Sequence, residues 1–142
     1  MSLFSALSVS ASGMSAQRTR AELLVENLAN SETTRTPEGG PYRRKDAIFA
    51  TEAQPSQFAS MFQDELGTGV NISEVVEDTR EPDRRYLPGH PDADAQGYVA
   101  FPRINPAEDM VDLMGASRGY QANVAAIGAV KDMINRSIDL LR

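Results

Sequence analysis

Both ends of this 142-residue chain carry an apolar repeat that is satisfied only by a helix packed against other helices. From Leu3, alternating steps of four and three land on Leu7, Ser10, Met14, Gln17, Ala21, Leu24 and Leu28. From Met110, steps of three and four land on Leu113, Ser117, Tyr120, Val124, Ile127, Lys131, Ile134, Ile138 and Leu141. A seven-residue repeat winds into a narrow stripe that must be covered along its length. Two such stripes around a dissimilar middle predict a mainly α chain with a small β-containing centre. The long terminal helices are expected to be coiled-coil-like and to flank a compact central region. The implied division is 1–30 for the first helix, 31–104 for the middle and 105–142 for the last helix. Both helices then belong to one helical assembly domain.

Local signals place the ends of these helices. Ser2 can cap the first, and Asn30 is suited to the left-handed conformation that would close it. Asn105 can cap the second, Pro106 fits its first position, and Glu108 is spaced to complete a capping box. That predicts a helix from Pro106 to about Leu140, roughly 50 Å long at 1.5 Å per residue. In between, "SETTRTPEGGPY" has loop composition. "YRRKDAIFAT", "GVNISEVVEDT" and "GYVAFPRI" carry the β-branched residues and partial alternation of strands. Phe58, Met61, Phe62 and Leu66 fall at helical spacing within Ser56–Leu66, which predicts a short extra helix.

The repeats alone leave two uses open. The helices could pair as an antiparallel hairpin inside a self-contained adaptor or regulatory domain. Alternatively, helices of other molecules could complete them. Small residues on the flanks of the second stripe (Gly115, Ala116, Gly119, Ala122, Ala125, Ala126, Gly128, Ala129) permit close approach by several neighbours. Its glycines also weaken the isolated helix by about 1 kcal/mol each relative to alanine. The combination favours assembly, with the stripes meeting other molecules rather than each other.

Composition removes the chemical alternatives. The net charge is −6. Residues 1–36 balance to zero and 107–142 carry four bases and five acids, leaving −5 in the middle. An acidic chain lacks the cationic footprint that nucleic acid needs, and Arg43-Arg44-Lys45 reads as a solvated strand edge. There is no cysteine, so disulfides and thiolate chemistry are excluded. No stretch approaches eighteen apolar residues, so no membrane span is expected, and the first twenty residues lack the pattern of a cleaved signal. His90, Asp92 and Asp94 form an H-x-D-x-D string, but prolines and glycines make it a turn in which aspartates bond their own backbone. The Asp64–Glu65 and Asp92–Asp94 pairs lie in segments too exposed for acid–base work. No nucleophile–base arrangement appears. Neither an enzyme nor a metal or cofactor site is expected.

Three stretches carry a resemblance. "LANSETTRTPEGGPYRRKD" (28–46), "YLPGHPDADAQGYVAFP" (86–102) and "INPAEDMVDLMGASRGYQANV" (104–124) together resemble the bacterial flagellar rod and hook axial proteins, and within them the FlgC-type rod family. The chain departs from that pattern at Arg103, where an asparagine is usual, and at Gly115. The resemblance implies a structural subunit of the proximal rod. Such subunits pass through the flagellar type III export apparatus without cleavage and polymerise in the periplasm to carry motor torque to hook and filament. Its implied partners are further copies, the rod proteins FlgB, FlgF and FlgG, and FliE at the base. The residues expected at the assembly interface are Leu3, Leu7, Met14, Ala21, Leu24 and Leu28 of the first stripe, and Met110, Leu113, Tyr120, Val124, Ile127, Ile134, Ile138 and Leu141 of the second. Asn27, Asn30, Thr33 and Thr34 join them from the motif that closes the first helix.

Overall fold

The computed structural model describes residues 3–51 and 69–140. The expected helix at Ser56–Leu66, the Asp64–Glu65 pair, the Ser2 cap and Leu141 lie outside them. Helix α1 spans Leu3–Ala29 and helix α2 spans Pro106–Asp139. Between them come strands β1 (Lys45–Thr51), β2 (Val70–Glu77), β3 (Asp83–Tyr86) and β4 (Tyr98–Phe101). They pair as two separate antiparallel hairpins, β1 with β2 and β3 with β4. The β1–β2 register slips between Ile48 and Phe49, a bulge that turns Phe49 away from simple alternation.

The end of α1 corrects one expectation. No non-glycine residue among those described has a positive φ, so Asn30 does not take the left-handed cap. Its backbone N–H and its side-chain Nδ2 both donate to the Glu26 carbonyl, at 3.1 and 2.9 Å. The side-chain amide thus satisfies a helix-end carbonyl that a left-handed cap would otherwise serve. The chain reverses instead at Gly39 and Gly40, whose φ values of +92° and +78° belong to glycine. At α2, Asn105 caps as expected: its side chain accepts from the Ala107 N–H at 3.2 Å, with Pro106 at the first position. Strand β3 has no signal in the sequence. Asp83-Arg84-Arg85-Tyr86 has no apolar face, and it is held by backbone pairing, by Arg85 stacked 4.6 Å over Phe101, and by Tyr86 edge-on to Tyr98.

The helices run antiparallel against each other. Gly13 faces Asn123, Gly119 faces Gln17, and Arg20 reaches Asp112 at 3.5 Å, so positions rise along one helix as they fall along the other. The two helices therefore do meet within one molecule, contrary to the expectation that only other molecules complete them. Glycine at both contacts is the physical reason, because a Cβ at Gly13 or Gly119 would stand 3.0 or 3.1 Å from the opposing side chain. The β1–β2 hairpin packs on α1 and is tied to it by the Val70 N–H, which donates to Ser12 Oγ at 3.0 Å.

A candidate assembly surface on the helical hairpin

The seam inside the hairpin is not the apolar stripe. On α2 the covered positions are Asp109, Ala116 and Val130, with Asp112, Gly119, Asn123, Ile127 and Ile134 half-buried. As far as Asn123 these follow a three–four spacing one residue from the apolar repeat, whereas Ile127 and Ile134 belong to the repeat itself. Gly13, Gln17 and Arg20 meet them from α1. As far as Asn123 the seam is small and polar and buries little hydrophobic area; toward the end of α2 the covered positions are the apolar Ile127, Val130 and Ile134.

The apolar stripe is displaced to the flank of this seam. Met110 is 56% exposed, Val124 46%, Ile138 53% and Tyr120 38%. Leu113 is half-buried. On α1, Leu24 is buried, Leu7, Met14, Ala21 and Leu28 are half-buried, and Leu3 is exposed. Successive helical residues turn about 100° around the axis. On both helices the apolar stripe is rotated from the seam in the same sense. In an antiparallel pair, equal rotation places both stripes on one side of the hairpin. Ser12, Ala16 and Thr19, which border Val70 and Ile72 of β2, are rotated the other way. The hairpin thus carries the β1–β2 sheet against α1, with Leu24 of the stripe beside Ala47 and Phe49 of β1, and leaves the stripe of α2 exposed at Met110, Tyr120, Val124 and Ile138.

The residues from the α1-closing motif sit elsewhere, in a polar joint where α1, β1 and α2 converge. Asn27 has no exposed surface. Its Nδ2 donates to the Lys45 carbonyl at 2.8 Å, and its Oδ1 accepts from the Lys45 N–H at 2.9 Å and the Tyr42 hydroxyl at 3.0 Å. Burial pushes the pKa of the Tyr42 hydroxyl up, so it stays a donor. Thr33 Oγ1 donates to Asn30 Oδ1, and Thr34 Oγ1 to Asp92 Oδ2 at 2.8 Å. Lys45 Nζ pairs with Glu26 at 2.7 Å. Asp109, with no side-chain exposure, faces the Arg44 guanidinium at 3.0 Å. Desolvation raises the Asp109 pKa, with Arg44 pulling the other way. Sequence reasoning misses Tyr42, Arg44 and Asp109. Only Asp109 leaves a signal, the start of a second three–four series (Asp109, Asp112, Ala116, Gly119, Asn123) whose members are small or polar; Tyr42 and Arg44 leave none.

His90 Nδ1 accepts the Asp92 N–H at 3.1 Å, and Asp94 accepts the Gln96 and Tyr98 N–H groups. His90 and Asp94 thus hold their own turn, whereas the Asp92 carboxylate reaches out to Thr34 and Arg35. Among the described residues no cluster of three or more His, Cys, Asp or Glu side chains is arranged for a metal, and no helix is long and apolar enough to cross a membrane.

Comparison with known proteins covers the whole chain. The family described as "Flagellar basal body rod FlgEFG protein C-terminal" matches residues 95–140, which include α2. Over the whole length, the chain is 37% identical to the flagellar basal-body rod protein FlgC of Borreliella burgdorferi, covering 100% of this chain and 99% of that one. It is 37% identical to FlgC of Bacillus subtilis, with 99% of each covered. To FlgC of Salmonella typhimurium it is 35% identical, covering 99% and 98%.

Proposed function

Because this chain belongs to the FlgC family of flagellar basal-body rod proteins, and is a non-enzymatic structural subunit of that rod, we propose that it polymerises through the bare apolar face of its helical hairpin. Copies of the chain and the rod proteins FlgB, FlgF and FlgG, with FliE at the base, cover that face. The subunit reaches the periplasm through the flagellar type III apparatus without cleavage. It then carries torque from motor to hook as interface stiffness. Leu3, Leu7, Met14, Ala21, Leu28, Met110, Leu113, Tyr120, Val124, Ile127, Ile134 and Ile138 are the contact set, together with Leu141. Leu24, Asn27, Asn30, Thr33 and Thr34 hold the hairpin in shape from beneath. The terminal helices act as one assembly domain with coiled-coil-like packing, and residues 31–104 act as its appendage.

One observation carries this reading. Where the helices meet most closely the seam holds glycine and amides, while Met110, Tyr120, Val124 and Ile138 of the apolar stripe stand exposed beside it. Fully covering a Val, Ile or Met side chain is worth about 1.5–3 kcal/mol. Since the exposed ones are already about half covered, half a dozen of them supply on the order of 5 kcal/mol before association costs. The test is Val124→Asp. A self-contained adaptor hairpin would tolerate it, since Val124 is exposed in the lone chain. The assembly reading requires an unchanged melting curve for the dilute monomer and loss of rod incorporation and swimming, because a charge at a covered interface is left unpaired. Normal motility in this variant would remove the surface from consideration.

A further inference from the structure

Away from the helical hairpin, three separate segments converge on a small cleft of about 110 Å³. The approach to β1 brings Arg43, the β2–β3 link brings Asp78 and Arg80, and the chain leaving β4 brings Arg103. Asp78 is the sole carboxylate among the lining residues. Arg80 Nε binds its two oxygens at 2.8 and 2.9 Å. Arg43 Nη1 donates to the Asp78 backbone carbonyl at 3.3 Å. Arg44, the fourth arginine of the lining, is occupied by Asp46 at 3.2 Å and Asp109 at 3.0 Å. Arg103 is different. It is exposed and, among the described residues, makes no ion pair or hydrogen bond, yet its backbone leaves the fully buried Pro102 and its charge reaches Asp78. Hydrogen bonds from Arg80 hold the Asp78 carboxyl at a pKa of about 2, with Arg103 acting in the same direction. Three guanidinium groups around one carboxylate leave this cleft cationic in a chain whose net charge is −6.

We propose that the cleft is a carboxylate seat, filled by an aspartate or glutamate side chain of a second copy of this chain, with Arg103 as its principal donor. The inference rests on the assembly reading above. A volume of about 110 Å³ has room for a small oxyanion such as one carboxylate. Planar guanidinium groups suit a carboxylate through paired N–H donors. Charge balance sets the source. With 20 acidic against 14 basic residues, stacked copies repel one another unless cationic sites receive their acids. Glu74, Glu77, Glu81 and Asp83 stand exposed on the same β region, and among the described residues none of them has an ion pair.

The test uses the full chain at concentrations where it self-associates. Arg103→Lys, treated with a zero-length carbodiimide, should form an amide between the introduced amine and an acidic residue of another copy. Mixing isotope-labelled and unlabelled chains identifies such bonds as intermolecular by mass spectrometry. Arg103→Glu should weaken self-association about tenfold without altering the melt of the dilute chain. Crosslinks confined to Asp78 of the same chain, or unchanged association in Arg103→Glu, overturn the seat. Inorganic phosphate bound by the wild type at submillimolar concentration, with no effect on association, assigns the cleft to a free anion and also overturns it. The two readings fail separately. Association lost in Val124→Asp but kept in Arg103→Glu defeats the seat alone, whereas a wild-type chain that never associates defeats both.

Discussion

At the joint between the two helices and the first β-hairpin, Asn27 and Asp109 occupy positions that most small proteins give to leucine or valine. Asn27 makes three hydrogen bonds there, two of them closing on the backbone of Lys45. Asn27→Ala leaves a buried N–H and C=O without partners and should lower stability by about 3 kcal/mol in urea unfolding, near 1 kcal/mol per bond. Asp109 behaves oppositely. Its folded-state pKa is raised, with desolvation outweighing the Arg44 guanidinium, and Asp46, Asp112 and Glu108 add repulsion. A carboxyl with a raised folded pKa contributes stability that is fully present below its unfolded pKa and lost as pH rises through the folded value. An asparagine side chain at this position would imitate the protonated acid at every pH. Asp109→Asn should therefore stabilise the chain at pH 7, on the order of 1 kcal/mol, and the advantage should vanish near pH 3. Urea melts of both proteins at the two pH values decide it. A variant that is several kcal/mol weaker at pH 7 would show that the ion pair with Arg44 outweighs burial.

Between α1 and α2, closeness depends on missing side chains. A Cβ at Gly13 would lie 3.0 Å from the Asn123 amide, the movable end of a side chain. Gly13→Ala should be nearly neutral, because the shift of Asn123 offsets a helix-propensity gain of about 1 kcal/mol. Gly13→Val has no such outlet and should destabilise by about 1–3 kcal/mol, read from thermal melts. Equal stability of the Val variant would mean the helices do not meet at this depth. The same seam explains what is legible in the sequence. Helix existence and ends follow from unambiguous signals: the repeats, Asn105, Pro106 and the loop chemistry after Leu28. The partner of each stripe does not, because spacing records which residues want cover and not which molecule provides it. Two interleaved three–four series run along α2, and the apolar one is louder than the polar, glycine-containing one that actually meets α1. Strand β3 is invisible for a related reason. Its stabilisation is backbone pairing and arginine stacking, neither of which leaves an alternating pattern. On α1, Asn27 looks like a surface residue of a motif and is in fact core, since an amide's burial depends on partners far away in sequence.

Across the whole molecule, cover is distributed unevenly. Val99, Asn27, Asp109 and Pro102 are the largest fully buried side chains, all near the joint at one end of the hairpin or in the second β-hairpin beside it. Toward the start of α1 and the end of α2, Phe4, Met133 and Ile138 are exposed, and Val130 is the last covered residue of α2. Local opening costs little where few apolar contacts must be broken, so stability should fall along the hairpin away from the joint. Hydrogen exchange on the dilute chain should show it. Amides of Leu24, Asn27, Lys45 and Val99 should exchange slowest, whereas those of residues 5–10 and 131–138 should exchange at least about a hundredfold faster. Assembly covers the second group directly, so protection should rise most there. Binding that is specific for the folded form adds stability by mass action, so protection at 5–10 and 131–138 should rise with protein concentration and the melting temperature with it. Uniform protection along α2 in the dilute chain would mean that the hairpin is already complete. The exposed stripe would then be surface, with no need for neighbours.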